Sequence, residues 1–131
     1  MSDEKNRREA GRWLDTARSD LQTARILSEN ARWAHACFHA QQAAEKALKA
    51  VLAAVDAPIP RTHNLEDLLA QSAAVAPGSR LATRGLDLAD LTPFAVELRY
   101  DMEFWPARDV ALDAVEKAAR VVEMVTAIVG S

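Results

Sequence analysis

The chain has 131 residues, with 16 Lys and Arg against 19 Asp and Glu for a net charge of −3; half of its residues are hydrophobic and only 5% aromatic. That is one domain's worth of chain, long enough to bury a core, and it excludes the strongly basic field of a general nucleic-acid binder while leaving room for a local patch. The lone Cys37 excludes an internal disulfide and a Cys-based zinc site, and the start MSDEKNRREAGR is charged where a signal peptide is apolar while the apolar runs are short for a membrane span, so neither is expected.

Residues 1–8 are polar and read as a frayed, disordered tail, with one helical domain expected over 9–131. From about Glu9 to Glu29, the positions Ala10, Trp13, Leu14, Ala17, Leu21 and Ala24 mark one face of an amphipathic helix. The short stretch around Ser28 to Trp33 then predicts an antiparallel hairpin with the next helix.

That second helix, about Trp33 to Val55, is the centre of the reading. It lacks Gly and Pro. Trp33, Cys37, Ala40, Ala44, Leu48, Val51 and Val55 form an apolar stripe, and His35, His39, Gln42, Lys46 and Lys49 a polar one. Cys37 falls on the apolar stripe and is expected in the core. Gln41 and Glu45 fall at the edge of that stripe, where burial requires hydrogen-bond partners. His35 and His39 have the i,i+4 spacing of two metal ligands. No Glu stands beside them and no third ligand is placed, which favours solvated or partner-facing histidines, so no metal or cofactor is expected. Lys46 and Lys49 share the histidine face, where they can attract phosphate or, with Glu45, simply form a solubilising surface.

Pro58 and Pro60 end the helix near Asp56. In the following loop, Arg61, His63 and Asn64 stand at a helix start and can hold an anion, or serve only to organise the turn. Asn64 is a good N-cap for a short helix from Leu65 to about Ala74. A fourth pattern runs through Leu81, Leu88, Leu91, Ala95 and Leu98, weakened by Gly85 and kinked or restarted at Thr92-Pro93. Arg99 and Tyr100 close it, as phosphate or base contacts or as a structural helix end. Phe104 and Trp105 form either an exposed patch or a lid on the last helix. That helix spans about Ala107 to Val129, with Val110, Ala114, Val115, Ala118, Val121, Val122, Val125 and Ile128 on a broad face. With no alternating strand pattern, the expected fold is all-α: an up-and-down bundle of about five helices, three of them long.

The runs FHAQQAAEKALKAVL at Phe38 to Leu52, PRTHNLEDLL at Pro60 to Leu69 and LTPFAVELRYD at Leu91 to Asp101 resemble, in wording and order, the HEPN domain family. The likeness extends from about Trp13 to Val129. It implies a helical bundle, often a homodimer, frequently paired with a minimal nucleotidyltransferase in a two-component, toxin–antitoxin-like system. Many members are metal-independent ribonucleases with an Arg followed, after four to six residues, by a His near the last helix. Here Arg99 is followed by Phe104, Trp105 and Pro106, and no His occurs beyond His63. Arg32 and His39 match the spacing only within the central helix. The nearer branch has Arg-Tyr-Pro where this chain has Arg99-Tyr100-Asp101.

The resemblance therefore implies a binding module with no catalytic residue of the family type. Gln42, Lys46, Lys49, Arg61, His63, Arg99 and Tyr100 are its candidate nucleotide or RNA contacts. An endoribonuclease using His63 with Arg61 or Arg99 is the alternative, and a purely structural partner subunit a further one. The expected partners are a second copy, a nucleotidyltransferase domain and a nucleotide or RNA ligand, with no membrane and no DNA-specific signal. The expected location is the cytoplasm.

Overall fold

The structure, a computed structural model, describes residues 2–83, 87–95 and 106–130. Three long helices form the bundle: α1 (Ser2–Glu29), α2 (Trp33–Ala54) and, last in the chain, α5 (Arg108–Val129). Between them lie α3 (Leu65–Val75), the short α4 (Arg80–Thr83) and a single 3-10 turn at Thr92–Ala95. No strand occurs among the described residues, and none of their helices is long and apolar enough to cross a membrane.

The core is where α2 meets α1 and α5. Leu14, Ala17, Leu21 and Ala24 of α1, Ala40, Ala44, Ala47, Leu48 and Val51 of α2, and Ala114, Ala118, Val121 and Val125 of α5 are all buried. Cys37 lies among them, as expected, and burial pushes its thiol up to about 12. Because alanine side chains extend so little, helices can approach closely along α2 and fill the interior with backbone and methyl contacts.

The α1–α2 hairpin is closed by a left-handed residue. Ala31 has φ +58°, and the N–H of Arg32 reaches back 2.8 Å to the carbonyl of Leu27, a Schellman ending. Asp56, φ +57°, does the same after α2, with Ala57 N–H 2.9 Å from the Leu52 carbonyl. The Asn64 side chain caps α3 by accepting from the N–H of Asp67 at 3.0 Å, as its sequence position predicts. Ser72, fully buried, donates to the Leu48 carbonyl at 3.1 Å and ties α3 to α2.

Several expectations change. Helix α1 begins at Ser2, not Glu9, and so takes in residues read as a disordered tail. Asp3 and Glu4 favour the positive helix start, Lys5–Glu9 and Arg8–Glu4 pair one turn apart, and Asn6 is buried. Val55 and Val110, assigned to apolar faces, are exposed, because each lies at or beside a helix end. The fourth pattern restarts at Thr92-Pro93 as expected, but as a 3-10 turn and not an α-helix, and Leu88, Leu91 and Phe94 enter the core from this segment and the turn before it. Gly85, Leu98, Arg99, Tyr100, Asp101, Phe104 and Trp105 lie outside the described residues.

Candidate functional site

Glu45 is the hub of the polar cluster on α2. Its side chain is only 5% exposed, which is costly for a carboxylate unless its oxygens are occupied. They are. Oε1 accepts from Nδ1 of His63 at 2.7 Å and from the Gln41 amide nitrogen at 3.1 Å, while Oε2 accepts from the Lys49 ammonium at 3.0 Å. Burial pushes the carboxyl up, but the hydrogen bonds from His63, Gln41 and Lys49, with the charge of Lys49, outweigh it and leave Glu45 below the ordinary carboxylate range. The group is therefore ionised at neutral pH and can only accept. It follows that Nδ1 of His63 carries a proton and donates.

Lys49 reaches Glu45 because the two residues are one helical turn apart, and the indole of Trp13 from α1 lies over its ammonium at 5.6 Å from the ring centroid. Lys49 is thus buried, not part of an open polar face. Lys46 is likewise engaged: its ammonium lies 2.6 Å from Asp20 of α1, whose other oxygen is 3.1 Å from Nδ1 of His39. Asp20 so holds α1 against α2 through two side chains. His35 is exposed, one turn before His39. No group of three or more metal-ligating side chains occurs among the described residues.

The loop from Pro58 to Asn64 brings His63 over this cluster. Pro60 and Pro58 stiffen its approach, Thr62 accepts from the N–H of Asn64 at 3.0 Å, and the His63 carbonyl accepts from the Gln41 amide at 3.3 Å. Held at both its ring and its backbone, His63 still has a side chain 60% exposed. Arg61 is exposed and has no carboxylate partner among the described residues.

Of the seven residues proposed from sequence, the structure gathers Gln42, Lys49 and His63 around Glu45 and Gln41, and places Lys46 on the neighbouring Asp20. Arg61 stands on the same loop as His63. Arg99 and Tyr100 are outside the described residues. Glu45, Gln41 and Asp20 were missed as site residues. For Glu45 and Gln41 the signal was available: polar residues at the edge of an apolar stripe require a partner, and His63 is that partner. Asp20 carried no such signal, since its role depends on how α1 crosses α2.

This arrangement presents a largely exposed imidazole held at its Nδ1, with the exposed Arg61 two residues before it on the same loop. Such a pair can bind an anion or move a proton.

The family model for the HEPN domain matches residues 10–128. The crystal structure of TT1696 from Thermus thermophilus is similar over 91% of this chain and 97% of that one, with 27% identity and a TM-score of 0.70. No curated protein matches the chain. With the all-helical bundle and a match covering nearly all of the sequence, the chain belongs to the HEPN domain family.

Proposed function

We propose that this HEPN domain is a nucleotide- or RNA-binding module whose contact edge is the Arg61–His63 loop above Gln42 and Glu45. It would act as a homodimer beside a minimal nucleotidyltransferase in a two-component system. The observation that carries the reading is the His63–Glu45 contact of 2.7 Å between an exposed ring and a buried carboxylate. A histidine needed only for packing would not leave its side chain 60% exposed. Lys46 and Lys49 are each matched by a carboxylate, so phosphate attraction rests on Arg61 and His63, with Arg99 and Tyr100 as further contacts.

The test is binding of nucleotides and short single-stranded RNAs at low salt, by the wild type and by Arg61→Ala and His63→Ala. Binding weakened in both variants supports the reading, and no binding by the wild type sinks it. Co-purification with a nucleotidyltransferase encoded alongside, and a solution mass of two chains, would support the partner assignments.

The same contact favours a second reading, an endoribonuclease. With Nδ1–H engaged by Glu45, the neutral ring has its lone pair on Nε2, the form a general base requires. His63 would take the proton from a ribose 2′-OH as that oxygen attacks phosphorus. The bond from phosphorus to the 5′-oxygen would break, the proton would pass to the leaving oxygen, and Arg61 would face the phosphate charge. The products would be a 2′,3′-cyclic phosphate and a 5′-hydroxyl. Cleavage in EDTA that vanishes in His63→Ala would establish it, and an intact RNA pool at high protein concentration would rule it out.

A further inference from the structure

The two glutamines on α2 form a relay whose direction is forced by chemistry. Gln41 is fully buried. One end of its amide faces the Glu45 carboxylate at 3.1 Å and the His63 carbonyl at 3.3 Å. Both are acceptors, so that end must be the NH2 group. Its carbonyl oxygen then points the other way, toward the Gln42 amide at 2.7 Å, and can only accept. Gln42 must therefore turn its own nitrogen inward, with its carbonyl directed elsewhere.

An amide nitrogen has two hydrogens, and only one is used by Gln41. Half-buried Gln42 keeps a second N–H and a carbonyl oxygen with no partner among the described residues. This side chain, which would otherwise flip freely, is set in one orientation by a buried partner. It keeps one free donor and one free acceptor on a single planar amide, groups that complement the hydrogen-bonding edge of a nucleobase.

We propose that Gln42 reads a nucleobase edge, with Gln41 and Glu45 as positioning residues that fix its amide. The inference rests on the nucleotide-binding reading above and adds to it the part of the ligand recognised. Gln42 and the His63 backbone contact opposite ends of one amide, so a ligand with its phosphate at Arg61 and His63 can present its base to Gln42. A peptide group offers a similar donor and acceptor but no phosphate for the loop.

The experiment compares the four ribonucleoside monophosphates with ribose 5-phosphate by calorimetry at low salt, using wild type, Gln42→Ala and Arg61→Ala, with melting temperatures recorded for each. The expected result is that a nucleotide binds the wild type roughly ten-fold more tightly than ribose 5-phosphate. Gln42→Ala should remove that difference while leaving ribose 5-phosphate affinity nearly unchanged, with a lower melting temperature because the buried Gln41 carbonyl loses its donor. Arg61→Ala should weaken all ligands together. Equal affinity for nucleotides and ribose 5-phosphate in the wild type, or a parallel loss of both in Gln42→Ala, would overturn the base-reading role while leaving the phosphate site standing. Absence of binding by any ligand would remove both.

Discussion

The carboxylate of Glu45, buried on α2, is bonded at 2.7 Å to the ring of His63, exposed on the loop before α3. An interior charge is thereby coupled directly to a surface imidazole. Removing that charge tests the coupling. Glu45→Gln keeps the shape but strands the Lys49 ammonium under Trp13, and an uncompensated buried charge costs about 3 kcal/mol. Urea unfolding should show this loss, and it should shrink when Lys49→Met is added.

The same carboxylate makes stability depend on pH. Its folded pKa lies below the unfolded one, near 4.3. The stabilisation is therefore fully present above the unfolded value and lost as the pH falls through the lower folded value. Wild type should lose stability on acidification below about pH 4.3, and Glu45→Gln should show a shallower decline in the same window. Equal slopes would mean that other carboxylates set the acid limit.

Asp20 neutralises Lys46 and holds His39. Asp20→Asn should cost about 1 kcal/mol of stability, since charged hydrogen bonds across α1 and α2 weaken. It should also release Lys46 toward solvent. If RNA binds this face, the variant should bind it more tightly at low salt, and its affinity should fall more steeply with salt by about one further counterion. Filter binding across a salt series distinguishes this from an affinity change that salt does not alter.

Ala31 occupies left-handed backbone at φ +58°, where a Cβ is strained and glycine is not. Ala31→Gly should stabilise the protein by up to ~1 kcal/mol, which thermal unfolding would register as a rise of roughly 3–5 °C. Asp56→Gly should gain less, because a short polar side chain tolerates this region better.

Cys37 is fully buried and its thiol is pushed up to about 12, so almost no thiolate exists at pH 8. Alkylation by iodoacetamide should be negligible in the folded protein and rapid in denaturant. Fast labelling without denaturant would show that α2 opens far more readily than its packing implies.

The bundle was legible in the sequence because periodicity is a local property. The apolar stripe of α2, the Asn64 cap and the start of α5 within one residue of Ala107 all follow from spacing and from caps within a few residues. The sequence also marks Gln41 and Glu45 as polar residues in need of partners. It does not show that His63 supplies one of them, a contact that spans eighteen positions and depends on the course of the Pro58–Asn64 loop. The burial of Lys49 is hidden for the same reason: helical phase places it on a polar stripe, but Trp13 from another helix covers it. The early start of α1 was hidden because its first turns are charged, and only i,i+4 pairing and the burial of Asn6 show them to be helical.

Along α2, six of the fully buried positions, Ala36, Ala40, Ala43, Ala44, Ala47 and Ala50, are alanine. Nearly every mutation at these positions enlarges the side chain, and close packing leaves nowhere for the added atoms to go. A deep mutational scan should therefore show a continuous intolerant band across α2 in which even conservative hydrophobic changes are rejected. Gln42 and Lys46 lie within that band, on the turns that cannot drift, so descendants of this chain can alter what the site contacts more readily than where the site is held.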